Sequence, residues 1–224
     1  MTININNFQL AIGIPNSHDI LYSDFFDSFI CMEKPPFVYI RERGTVNQID
    51  EMRNNIVMRA KNAGATHLLM MDCDQTYPTN LISKLLRDIK DKMVVGALVH
   101  RRYPPFDPLI IKGKPNHYQT IIDWPEGEII PVDATGTGCL MFDMRVFDII
   151  RKPWFKLKKR KTGTLGEDFY FCDKAKKSGV QVYVDTSLQC GHLALMEVGV
   201  ATWELYKHVK IEQAKQIKNK AIGG

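Results

Sequence analysis

Long apolar runs are missing from this sequence: the longest, from Met93 to Val99, is far too short to cross a bilayer. The amino-terminal stretch MTININNFQL has neither the basic start nor the apolar centre of a secretory signal. These two absences make a cytoplasmic protein the expectation, with attachment to a membrane surface left open by its basic segments. No C-x-x-C pair occurs, and the five cysteines (Cys31, Cys73, Cys139, Cys172, Cys190) are odd in number and widely scattered. That excludes a disulfide framework and a thiolate zinc site, and leaves the cysteines as small core residues. Internal repeats and low-complexity segments are absent too.

What is present is ordinary in bulk: 224 residues, 45% hydrophobic and 25% charged, enough for one domain with a substantial core. The net charge of +5 is unevenly spread. Arg151 to Lys161 contains seven basic residues and no acidic one, and the tail beyond Trp203 is rich in lysine. Such concentration points to an anionic partner.

The most informative stretch is His67 to Pro78, HLLMMDCDQTYP. Its five apolar-leaning residues, too few for a helix, read as a buried strand that ends in Asp72 and Asp74. Ligands of open α/β sheets sit at the carboxyl ends of strands, and two carboxylates spaced by one residue suit a hard divalent cation. The other reading is that Asp72 and Asp74 cap a helix beginning near Thr79.

Around this stretch the chain alternates. Phe8 to Ile14 reads as a first strand stopped by Pro15, Asp19 to Met32 as a helix, and Phe37 to Ile40 as a second strand. Asn47 to Ala63 has a helical apolar stripe, Thr79 to Lys92 another, and Met93 to Val99 is again a strand. Alternation predicts a mostly parallel sheet covered by helices. Arg101 to Pro131, with six prolines, breaks the rhythm as an antiparallel excursion. Cys139 to Phe142 reads as a strand, Arg145 to Ile150 as a short helix, and the segment WFKLKKRKTGTLG as a mobile basic loop. Glu167 and Asp168 open a helix, Val180 to Val184 is a strand leading to His192, and Met196 to Lys220 has helical periodicity. The expected organisation is a domain over 1–195, with halves near 1–100 and 101–195, and a basic helical tail over 196–224.

Four segments taken in order, AIGIP, MRNNIVMRAKNAGATHLLMMDCDQTYP, TGTGCLMFDMRVFD and GEDFYFCDKAKKSGVQVYVDTSLQCGHL, make the chain resemble the GT-A-fold glycosyltransferases of the family 2 type. The resemblance covers Phe8 to Leu193. It implies an α/β GT-A fold with a mixed, mostly parallel central sheet flanked by helices. It also implies transfer of a sugar from a nucleoside-diphosphate donor, a UDP- or GDP-sugar, to an acceptor hydroxyl with inversion.

By that resemblance Asp74 is a direct metal ligand, Asp72 reaches the ribose or a metal-bound water, and His192 is a further ligand. An imidazole among carboxylates favours manganese, with magnesium the alternative. Arg53 and Asn54 match the nucleotide-side motif, although they also suit a solvated helix face. Pro15 matches the turn against the base or ribose, or is merely a strand stop. Gly136 and Gly138, in TGTG, match the small-residue approach to the donor sugar, or supply plain flexibility. Asp168 matches the catalytic base and Glu167 its neighbour in the E-D motif, where two acids also favour a helix amino terminus. The basic run at Lys156 to Lys161 has no counterpart in the family; it is a solvated surface or a contact for the acceptor. An anionic glycan, a lipid-linked acceptor and nucleic acid are the candidates for that acceptor.

Two other functions compete. Sugar-phosphate nucleotidyl transfer uses similar metal carboxylates, but needs a glycine-rich basic loop where this chain has GIPNSHDI. A non-catalytic module for anionic polymers would use the basic loop and tail alone.

Overall fold

The computed structural model describes residues 8–17, 21–160, 163–209 and 211. Two compact units are present, Met1–Leu193 and Ala194–Gly224. In the first, strands β1 (Leu10–Asn16), β2 (Phe37–Arg43), β3 (His67–Met71), β4 (Gln75–Thr76), β5 (Val94–Val99), β8 (Ile129–Val132), β9 (Cys139–Asp143) and β12 (Val182–His192) form one sheet. Its order is β2-β1-β3-β9-β5-β12-β4, with β8 also on β12. Strands β2, β1 and β3 are parallel, as are β5 and β12, whereas β9 runs antiparallel between β3 and β5. The mixed, mostly parallel sheet expected from the alternation is therefore present.

The covering helices are α1 (Ser23–Cys31), α2 (Ile49–Asn62), α3 (Leu81–Asp88), the short α4 (Val146–Ile149) and α5 (Glu167–Lys177). Strand period explains how each face is filled. Leu69 and Met71 point into the layer with Phe25 of α1 and Leu81, Ile82 and Leu85 of α3. Leu68 and Met70 point the other way, into the layer with Ile56 and Ala60 of α2 and Phe171 and Ala175 of α5. The same parity turns the next even residue, Asp72, toward α2 and α5.

Between β5 and β8 the proline-rich stretch makes the antiparallel excursion as a hairpin of β6 (Ile111–Lys114) and β7 (His117–Thr120). Three local expectations are corrected. Pro15 does not stop β1, which runs on through Asn16 beside β2; pairing to β3 has already ended at Gly13, so the missing proline N–H interrupts nothing on that side. The basic segment is not simply a loop: β10 (Lys158–Arg160) pairs with β11 (Gly163–Leu165) as a hairpin. Lys161 lies outside the described residues. Finally, β12 continues past Val184 through a bulge between Asp185 and Gln189, so His192 ends the strand rather than following it. Of the helix expected over Met196 to Lys220, residues 200–209 are helical in the second unit, residues 196–199 are not, and the remainder lies outside the described residues apart from Ile211.

Helix α2 must lie close on β1, because it carries side chains into the site. Gly13 makes this possible: a Cβ there would come within 2.2 Å of Ile56 Cγ2, a stiff branched side chain. Gly13→Ala is expected to destabilise the fold by about 1–3 kcal/mol, the scale of an overpacked core, as a lower urea midpoint. An unchanged midpoint would mean that α2 is free to shift.

Candidate active site

Three strand ends and two helices converge on one cleft. Asp72 leaves β3 with its backbone N–H donated to the carbonyl of Gly138, 2.9 Å away, and the Tyr77 hydroxyl lies between the carbonyls of Asp72 (2.7 Å) and Gly138 (2.8 Å). The turn is thereby tied to the start of β9. Gly138 leaves room at this junction, since a Cβ would meet Gln75 Nε2 at 2.1 Å and Asp72 Oδ2 at 2.7 Å and force those side chains to shift. Its small size makes room for the protein's own polar side chains. Neither aspartate caps α3, whose N-cap residue is Asn80.

Arg53 of α2 is 3% exposed and sits between two acids: Nη2 is 3.0 Å from Asp72 Oδ1, and Nε is 3.0 Å from Glu167 Oε1. Burial disfavours the guanidinium charge, yet Asp72 and Glu167 outweigh it and its pKa is raised. Burial likewise raises the pKa of Asp72, against the pull of Arg53.

Asp74 belongs to a different set. Its Oδ2 lies 3.0 Å from Arg102 Nη1 and 3.5 Å from His192 Nε2. Antiparallel pairing of His192 with Gln75, together with the Leu193 N–H donated to the Asp74 carbonyl at 2.8 Å, brings the histidine there. Burial alone would raise the Asp74 pKa, but His192 and Arg102 hold it below the ordinary value. His192 Nδ1 is 2.7 Å from the carbonyl oxygen of His100. A carbonyl can only accept, so Nδ1 carries a proton and Nε2 faces Asp74 with its lone pair available whenever the ring is neutral.

This donor set fits a divalent cation at Asp74 and His192, one carboxylate oxygen and one imidazole nitrogen with water and phosphate left to complete the shell. Among the described residues no three acidic, histidine or cysteine side chains are gathered tightly enough to hold a metal by themselves. Arg53 takes one oxygen of Asp72, and Arg102 competes for Asp74.

Asp168 follows Glu167 in the first turn of α5, and its Oδ1 accepts the Phe169 N–H at 2.7 Å. Burial, then the neighbouring Glu167 charge, pushes its pKa up to about 7. A carboxylate so poised can exchange a proton near neutrality.

Pro15, Arg53, Asp72, Asp74, Gly136, Gly138, Glu167, Asp168 and His192 all line one cavity of about 460 Å³. Asn54 does not. Its amide accepts the Trp154 and Phe155 N–H groups (3.1 and 3.3 Å) and donates to the Asp50 and Phe155 carbonyls (2.7 and 2.8 Å), clasping the chain before β10. The sequence reading passed over Arg102 and Tyr103, which line the same cavity. A signal was there: HRRY directly follows the apolar strand β5, at its carboxyl end.

A second cavity of about 560 Å³ adjoins the first. The two share Asp168, His192, Arg102, Tyr103 and Leu109, and the second adds Arg101, Pro104, Phe169 and residues 164–166 of the basic hairpin and its exit.

Removing the buried guanidinium strands two acids. Arg53→Met is expected to cost about 3–5 kcal/mol in urea unfolding, the usual scale for breaking a buried ion pair on one side. Adding Asp72→Asn and Glu167→Gln to that variant is expected to recover part of the loss. A single variant as stable as the wild type would show that Arg53 is not the counter-charge of these acids.

No protein-family model matches the sequence, and no curated protein is similar enough to match it. Solved structures do match. A197 from STIV has a TM-score of 0.59 at 16% identity, over 84% of this chain and 87% of that one. GalNAc-T7, crystallised with UDP, GalNAc and Mn2+, has a TM-score of 0.60 at 12% identity, over 87% of this chain. S. aureus TarS 1–349 has a TM-score of 0.50 at 12% identity, over 81% of this chain. This chain spans 45% of the GalNAc-T7 chain and 60% of the TarS chain. At these identities the likeness is one of architecture, and that architecture is the GT-A fold which the sequence resemblance led one to expect.

Proposed function

We propose that this chain is a divalent-metal-dependent glycosyltransferase that moves a sugar from a nucleoside-diphosphate sugar to an acceptor hydroxyl with inversion. The observation that carries the reading is the sharing of Asp168 by two adjoining cavities, one of which also holds Asp72 and Asp74, with His192 on the wall they share. A carboxylate on a common wall is where a base between donor and acceptor has to be.

In this reading the donor lies in the first cavity. Pro15, Val46 and Ile49, on the β1 and β2 side, give the nucleoside base an apolar wall, while Asp74 and His192, on the β12 side, would hold the cation. That cation, manganese or magnesium, would supply Lewis-acid stabilisation for charge building on the departing diphosphate. Arg53 opposes the rise that burial imposes on the Asp72 pKa and orients its carboxyl group, which in this reading serves a ribose hydroxyl or a metal-bound water. Asp168, deprotonated, takes the proton of the acceptor hydroxyl as its oxygen attacks the anomeric carbon from the face away from the diphosphate. Glu167, held by Arg53, keeps a negative charge beside Asp168 and so raises its basicity. GalNAc-T7 was crystallised with UDP and Mn2+, and S. aureus TarS with UDP-GlcNAc, which supports a UDP-sugar as the first donor to try.

Hydrolysis of a panel of UDP- and GDP-sugars, followed by mass spectrometry with and without manganese, tests the reading without an acceptor. Slow metal-dependent release of one nucleoside diphosphate is expected, and Asp74→Ala should abolish it. Absence of release across the panel, or release indifferent to chelation and to Asp74→Ala, would overturn it.

The base has its own signature. Asp168 acts only when ionised, so transfer should rise about tenfold per pH unit below about 7 and level off above it. Asp168→Asn should lower transfer by roughly 10²–10⁴-fold and remove that limb. A fully active Asp168→Asn enzyme, or a product that retains the donor's anomeric configuration, would take the base role away from Asp168.

A further inference from the structure

The second cavity has a chemistry that the first does not explain. Arg101 and Arg102 lie on one wall, Tyr103 and Phe169 present rings, and Asp168 is the one acidic residue in the lining. Arg102 already faces Asp74, whereas Arg101 is exposed and makes no side-chain hydrogen bond or ion pair among the described residues. Its neighbour Tyr103 is 67% exposed at the mouth of the cavity, with the Arg102 guanidinium over one side of its ring, 5.8 Å from the centroid. On the opposite wall, Thr164 and Leu165 pair in register with Lys159 and Lys158, so the hairpin adds positive charge behind the lining.

An arginine fork recognises carboxylate and phosphate oxygens bidentately, and an exposed ring offers a flat apolar face to the C–H side of a pyranose. A volume of about 560 Å³ is within the range of small-molecule sites. A neutral sugar would offer the Arg101 guanidinium no counter-charge, and a cationic one would be repelled. We propose that this cavity is the acceptor subsite and that it selects an acidic saccharide, one whose carboxylate or phosphate is held by Arg101 while its ring lies against Tyr103. The assignment rests on the glycosyltransferase reading for the word acceptor. The selectivity for acid rests on the cavity alone.

Calorimetry on the full chain tests it with hexuronates and hexose phosphates, each titrated beside its neutral hexose, with inorganic phosphate as a further probe. At least one acidic saccharide should bind about tenfold or more tightly than its neutral counterpart, the scale of one charge-assisted hydrogen bond. The carboxylate and phosphate arms show which anion is preferred. Arg101→Ala should collapse the ratio toward one within a single preparation, so a loss of folded protein cannot mimic the result. Arg101→Lys, which keeps the charge without the fork, should retain part of it. Equal binding of acidic and neutral members, no binding of any acid, or a ratio unchanged in Arg101→Ala would overturn the proposal. Inorganic phosphate binding as tightly as the hexose phosphates would overturn the saccharide assignment. These titrations need neither donor nor turnover. Donor hydrolysis without acid selectivity would thus sink this inference alone, and acid selectivity without donor hydrolysis the glycosyltransferase reading alone.

Discussion

A single buried cation decides how the cleft is built. Arg53 arrives on α2 and is flanked at 3.0 Å by carboxylates from the end of β3 and the start of α5. Neither acid is near the other in sequence, and each would resist burial by itself. With the guanidinium between them each has a counter-charge, and the planar fork of arginine constrains how the two elements meet. The order of dependence runs from Gly13, which lets α2 approach, through Arg53, to Asp72 and Glu167, and then to Asp168.

The same cavity holds two different carboxylate environments. Asp74, facing Arg102 and His192, is held below the ordinary carboxylate range. Asp168, buried and beside Glu167, is pushed up to about 7. Environments that separate the pKa values of neighbouring acids are how one cleft can keep an anion for a cation and a base for a proton.

Much of this was legible in the chain because its signals are local. The apolar run His67 to Met71 is a strand with those limits, Glu167 does open α5, and the residues singled out for chemistry line one cavity, Asn54 excepted. What escaped depends on long-range geometry. Nothing in CLMFD says that it is inserted antiparallel between two parallel neighbours, and the register that places His192 beside Asp74 exists only once β12 meets β4. Pro15 is a breaker by propensity, but its strand has already lost one neighbour where it occurs. Arg102 was hidden for a similar reason: only the folded connection after β5 shows which carboxylate it meets. Asn54 lies off the cavity that Arg53 lines, since side chains one residue apart on a helix point roughly 100° apart.

That divergence has a mechanical consequence. Arg53 grips the charged floor of the cleft, and Asn54, next on the same helix, grips the chain that leads into the basic hairpin. One stiff rod therefore carries both the donor-side floor and the root of the opposite wall, so these two surfaces travel together. The connection after β5 that bears Arg101, Arg102 and Tyr103 lies outside that grip and is tied across the cleft instead, by the ion pair of Arg102 with Asp74.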